Sequence, residues 1–146
     1  MSTSRTIEWD FFFFVSHISG YSAQAIIVDK KKGMVKLEDG YVDSNKIQLP
    51  LTKEFLAEME SCFEAIHLYD WAKGNYNPCA DGEQWSFEFY MGSERVLLRI
   101  GSNAYPNGYE KWIEFYSRLL KEKGIAEVHT CYQKEREGCI FQEEYD

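Results

Sequence analysis

The chain has 146 residues, with 24 Asp and Glu against 16 Lys and Arg and a formal net charge of -8. That length suits one domain, residues 1–146, built around a single core. The acidity excludes an unspecific grip on nucleic acid and opposes an anionic membrane surface, since both need clustered Lys and Arg.

Apolar residues make up 45% of the chain and aromatics 16%. That supplies large rings for a core and leaves some for an adhesive surface. No apolar run approaches the roughly 20 residues needed to cross a bilayer. The longest, Phe11-Phe12-Phe13-Phe14-Val15, is flanked by Glu8 and Asp10 and lacks the basic start of an export signal. A cytoplasmic protein is therefore expected, with Cys62, Cys79, Cys131 and Cys139 as reduced thiols.

The first predicted element is a strand over residues 6–19. Its Phe run lacks clean alternation, which predicts partial burial on both faces. Gly20 breaks it, and a second strand over 21–29 centres on Ala25, Ile26, Ile27 and Val28. Lys30-Lys31-Lys32-Gly33 reads as a solvated turn. A third strand covers 34–38, Asp39-Gly40 is a hairpin signal, and 41–49 reads as a fourth strand.

Thr52 is placed to cap a helix, with Glu54 in the first turn. Leu51, Phe55, Leu56, Met59, Cys62, Phe63 and Ile66 form its apolar stripe, read as a core face. Residues 70–82 look like a loop. Trp85, Phe87 and Phe89 alternate with Ser86, Glu88 and Tyr90 on a clean strand. After Gly92-Ser93, residues 95–100 return with Val96, Leu98 and Ile100 on the face expected to be buried. Arg95, Leu97 and Arg99 oppose them. Residues 101–108 form a turn, and a second amphipathic helix covers 109–123 with Gly124 as its C′ residue. A last strand is expected over 125–132. In the charged tail, Cys139-Ile140-Phe141 suggests a short docked strand. This order is not a βαβ alternation. It predicts an α+β fold, mainly antiparallel, with two helices on one side of the sheet.

The run Asp81-Gly82-Glu83-Gln84-Trp85 and the later Gly101-Ser102-Asn103-Ala104-Tyr105-Pro106 resemble a pattern in small uncharacterised bacterial and phage proteins. The resemblance spans about residues 81–120 and implies a hairpin-turn-helix unit, with no activity attached. The residues themselves explain a rigid corner: Gly101 permits a sharp turn, Asn103 bonds nearby backbone, and Pro106 sets φ before a helix. The alternative is that Ser102, Asn103 and Tyr105 line a small-ligand pocket.

His129, Cys131 and Cys139, with Cys79, offer zinc-ligand chemistry but not the spacing of a common finger. Cys131 with His17, His67 or His129 is a conceivable nucleophile pair. Glu88 is expected to pair with Arg95, Arg99 or both across the hairpin. No phosphate loop or nucleophile elbow is present, and no cofactor is implied. The leading expectation is a non-enzymatic module that binds a basic surface of a partner protein, in the manner of an inhibitor or immunity factor. Trp71, Tyr76, Tyr90 and Tyr105 are the expected contacts. A zinc or small-ligand domain is the alternative, and a homo-oligomer stays open.

Overall fold

The computed structural model describes residues 6–18, 23–40, 45–78, 82–124 and 127–146. Ser19 and Gly20, the starts of the expected second and fourth strands, Cys79, Asp81 and Ile125 lie outside the described residues. Four strands come first: β1 (Phe11–Ile18), β2 (Ala23–Asp29), β3 (Met34–Asp39) and β4 (Asn45–Pro50). Helix α1 (Lys53–Ala65) follows, then a 3-10 turn (Leu68–Asp70), β5 (Gly74–Tyr76), β6 (Glu83–Met91) and β7 (Glu94–Ser102). Helix α2 (Tyr109–Glu122), a second 3-10 turn (Lys134–Arg136) and β8 (Gln142–Glu144) complete the order. These eight strands form one sheet in the order β4-β3-β2-β1-β6-β7-β5-β8. Every pairing is antiparallel except β5 with β7. The α+β fold is as expected.

The strand period of two divides the sheet into unlike faces. Phe12, Phe14, Ile26, Val28, Phe87 and Phe89 point to the covered face and are buried. Phe12 meets Phe63 of α1 with ring centroids 5.1 Å apart, and Phe14 meets Trp112 of α2 at 5.0 Å. Thr52 caps α1 by accepting the Phe55 N–H at 3.1 Å. Gly124 follows α2 at φ 64°, where glycine costs least. At the other end of α2, Glu137 from the tail accepts the Gly108 N–H at 2.6 Å, satisfying a helix-start donor.

Three expectations are corrected. First, β7 runs in the opposite phase: Leu97 and Arg99 face the core, and Leu98 and Ile100 lie on the other face. The cause is Trp85, which sits opposite Gly101. A Cβ at Gly101 would stand 2.2 Å from the indole, so Gly101 must be the inward residue and the alternation follows from it. Arg99 therefore does not face Glu88; Arg95 makes that ion pair, at 3.1 Å. Second, residues 70–82 are not all loop, since they contain β5. Third, residues 127–133 form no strand. Buried side chains satisfy part of that backbone: Gln24 bonds the Glu127 carbonyl at 3.0 Å and the His129 N–H at 2.8 Å, and Glu83 accepts the Cys131 N–H at 3.0 Å. The docked tail strand is β8, just beyond the Cys139-Ile140-Phe141 run.

Candidate functional site

The two halves of the glycine-tryptophan pattern close on each other at the end of the β6–β7 hairpin. The Trp85 indole N–H donates to the Ala104 carbonyl at 2.9 Å. Asn103 takes φ 57°, a left-handed conformation that Asn tolerates, and its backbone N–H donates to the Glu83 carbonyl at 2.9 Å. Its side chain occupies the space that a Cβ on Gly82 would need, 1.4 Å from Oδ1.

Glu83 is the hub of this corner and is 0% exposed. Its Oε1 accepts from the Tyr105 hydroxyl at 2.9 Å, the Thr130 hydroxyl at 2.6 Å and the Cys131 N–H. Its Oε2 accepts from the Ser16 hydroxyl. One carboxylate thus ties β1, the 101–108 turn and the extended tail segment together. Burial, then the Glu83 charge, push the Tyr105 hydroxyl above its ordinary value, so it remains a donor.

Trp71 and Tyr105, expected as surface contacts, belong to the core. Trp71 donates its indole N–H to the carbonyls of Ile66 at 3.1 Å and Asn107 at 3.2 Å and stacks on Tyr109. The 3-10 turn that precedes it folds it beneath the start of α2. Asn103 serves the corner rather than a pocket. His129, Cys131 and Cys139 are not gathered either. Among the described residues, no three His, Cys, Asp or Glu side chains are grouped to hold a metal ion. Cys139 is exposed and sits near the Glu135 carbonyl.

Tyr76, Ser102 and Tyr90 lie on the face of the sheet away from the helices, Tyr76 and Ser102 toward one end and Tyr90 toward the other. The register sets the rows of this open face. One row runs Lys36, Ile27, Phe13, Glu88, Leu98; the next runs Glu38, Ala25, Val15, Ser86, Ile100. Phe11, Phe13 and Val15 form a half-buried apolar ridge along β1. A cleft lies at each end of it. The first, of about 600 Å³, is floored by Val15 and Ile100 and edged by His17, Tyr76, Gln84, Ser86 and Ser102. The second, of about 590 Å³, is floored by Phe11, Phe13 and Ile27 and edged by Asp10, Asp29, Lys31, Glu88 and Tyr90.

Some of the charges on this face are paired. Lys31 meets Asp10 at 3.2 Å, and the Gly92 N–H, more than Lys31, holds the Asp10 carboxyl below its ordinary value. Tyr90 donates to Glu88 at 3.1 Å, and burial followed by that carboxylate raises the Tyr90 hydroxyl. Exposed acids also lie elsewhere, on Glu54, Glu58, Glu60 and Glu64 of α1 and on Glu135, Glu143, Glu144 and Asp146, although Glu58, Glu60, Glu144 and Asp146 are each in an ion pair. Sequence reasoning read the Phe11–Phe14 run as partly buried on both faces and placed no contact on it, and it missed Val15, Ile27, Leu98 and Ile100. The signal was present in the unalternating Phe run, which makes both faces of β1 apolar.

No family model matches this chain, and no curated protein matches it. No helix among the described residues is long and apolar enough to cross a membrane.

Proposed function

We propose that this protein is a non-enzymatic binding module whose open sheet face docks a partner protein. The observation that carries this reading is the uncovered ridge Phe11-Phe13-Val15, with Ile27 beside it on β2 and Leu98 and Ile100 on β7 beyond Glu88 and Ser86. An antiparallel sheet covered on one side ordinarily turns polar residues to water on the other. Here β1 presents an apolar and aromatic ridge, the composition of an interface core, with polar and charged side chains around it. Its extent favours a macromolecule: an eight-residue strand is roughly 26 Å long, and the two clefts lie at its opposite ends.

The net charge of -8 has a separate role. Acidic residues on α1 and the tail steer a basic partner toward the molecule and raise the association rate, while the open face supplies affinity. The partner is thus a protein with a basic surface and an apolar anchor. Inhibition of that partner, as an immunity factor does, is the mode of action this reading favours.

The test is capture from a lysate of the source cells by wild type and by Phe13→Glu, with native mass spectrometry of what is retained. A single partner held by wild type and weakened at least about 30-fold by Phe13→Glu, the scale of a ~2 kcal/mol hot spot, supports the reading. Retention of the same partner by both forms removes the open face from the interface. A wild-type dimer dissociated by Phe13→Glu assigns the face to a second copy instead.

A second reading has one specific observation behind it. The cleft edged by His17, Tyr76, Gln84, Ser86 and Ser102 has a volume within the range of small-molecule sites. A ligand-sized adduct that survives native spraying and is lost in Ser102→Trp favours it.

A further inference from the structure

The edge of β7 carries an inference separate from the open face. β5 has only three residues and pairs with β7 at Ile100, Gly101 and Ser102. From Glu94 to Arg99, β7 has β6 on one side and, among the described residues, no strand on the other. A groove of about 330 Å³ follows this edge, lined by Arg95, Val96, Leu97, Leu98 and Asp146. Val96 is 38% exposed there, one of few large apolar side chains so open to water.

Arg99 stands where the edge becomes free. Its side chain is 1% exposed, and its guanidinium donates to the carbonyls of Tyr69 at 2.7 Å and Leu98 at 2.8 Å. Both oxygens of the Asp146 carboxylate face it, at 3.2 and 3.1 Å. Its Nε has no partner. A buried guanidinium requires a carboxylate, and this one is fixed in place by two main-chain carbonyls. Its counter-charge is on a half-exposed tail residue, which can exchange with a carboxylate from outside.

We propose that the free edge of β7 accepts an extended segment of another protein as an added strand, with an Asp or Glu side chain of that segment taking the place of Asp146 on Arg99. Strand addition supplies main-chain hydrogen bonds to an edge that no described strand pairs before Ile100, and Arg99 selects which residue sits at its end. An apolar residue of the segment covers Val96. The rest of the segment is neutral or basic, because the whole chain carries -8 and repels further acid. The same repulsion disfavours a second copy donating its own acidic tail.

The probe is a blocked peptide, Lys-Val-Thr-Val-Asp-Val-Thr-Lys, titrated into the full chain with amide chemical shifts as the readout. Three comparisons decide the matter. Asp146→Asn removes the internal competitor and should bind the peptide about tenfold tighter or more, as loss of a tethered ligand does. The peptide with Asn in place of Asp should bind Asp146→Asn far more weakly, although its net charge favours it. A version N-methylated at alternate residues should not bind, because it cannot pair with an edge. Shifts should centre on residues 95–98. No binding to Asp146→Asn, equal binding of the Asp and Asn peptides, or full binding of the N-methylated form each overturns the proposal. So does a stable dimer of Asp146→Asn that leaves no edge for the peptide. Arg99→Gln serves only as a supporting variant, since its folding is checked separately by circular dichroism.

Discussion

Replacing Glu83 with Ala should be among the most damaging single changes in this chain. The carboxylate is fully buried and accepts from Ser16, Tyr105, Thr130 and the Cys131 N–H. Each bond to a charged group contributes about 1.5–3 kcal/mol, but the terms do not add, because burying the carboxylate itself costs several kcal/mol. The three hydroxyls can rotate toward other acceptors; the Cys131 N–H cannot. Removing the acceptor orphans the Cys131 N–H and leaves a cavity, which together cost about 3–5 kcal/mol. At about 3 °C per kcal/mol for a chain of this size, Tm falls by about 9–15 °C. Glu83→Gln keeps one acceptor oxygen and the shape, so its loss should be about 1–2 kcal/mol. Urea unfolding of both variants, with Thr130→Val added to close a double-mutant cycle, measures the network directly. The tail segment should also become a site of proteolysis in Glu83→Ala. A Glu83→Ala protein within about 1 kcal/mol of wild type, or one no worse than Glu83→Gln, would refute the reasoning.

Gly101→Ala places a methyl group 2.2 Å from the Trp85 ring, which is held by its own hydrogen bond to Ala104. The expected loss is about 1–3 kcal/mol, read as a lower urea midpoint, and Trp85→Phe combined with it should recover part of that loss. Alkaline pH should destabilise the fold. Burial pushes the Cys62 thiol from 9.0 up to about 11 and raises the hydroxyls of Tyr69, Tyr105, Tyr109 and Tyr116 above 10.0. Above pH 9 the unfolded chain releases these protons first and binds fewer than the native state, so stability declines as pH rises. Tm scanned from pH 8 to 11 should be level to about 9 and then fall, and Cys62→Ala should remove the earliest part of the fall.

Local signals carried most of the fold. Alternation at Trp85, Phe87 and Phe89, the apolar stripe of α1 and the Thr52 cap are short-range patterns, and the structure follows them. What was not legible depends on distant partners. The phase of β7 is set by Trp85 pressing on Gly101 across the hairpin, against the apolar alternation of Val96, Leu98 and Ile100. β5 and β8 have three residues each, too few to carry a period. The strand expected near His129 is absent because Gln24 and Glu83 take up its backbone groups from more than 45 positions away in sequence. For the site, loop position was a poor guide to exposure. Trp71 and Tyr105 carry polar atoms that find acceptors inside the core, whereas Tyr76 and Tyr90 lie on strands facing outward.

The Phe run offers an internal control for whether the open face is functional. Phe12 and Phe13 are neighbours on one strand with the same side chain and the same main-chain pairing. Phe12 is wholly buried, with rings of Phe63, Phe89 and Trp112 around it. Phe12→Ala should cost about 3–5 kcal/mol, the sum of lost burial and a cavity. Phe13 keeps part of its surface in water and has no layer above it, so Phe13→Ala leaves no enclosed cavity and should cost about 1–2 kcal/mol, the transfer of a partly buried ring alone. A stability difference of about 2 kcal/mol or more between the two variants, with partner binding lost only for Phe13, would mean that the apolar character of the open face does little for folding. Equal losses of stability would mean that the outward Phe is part of the core after all. The open face would then need no partner to explain it.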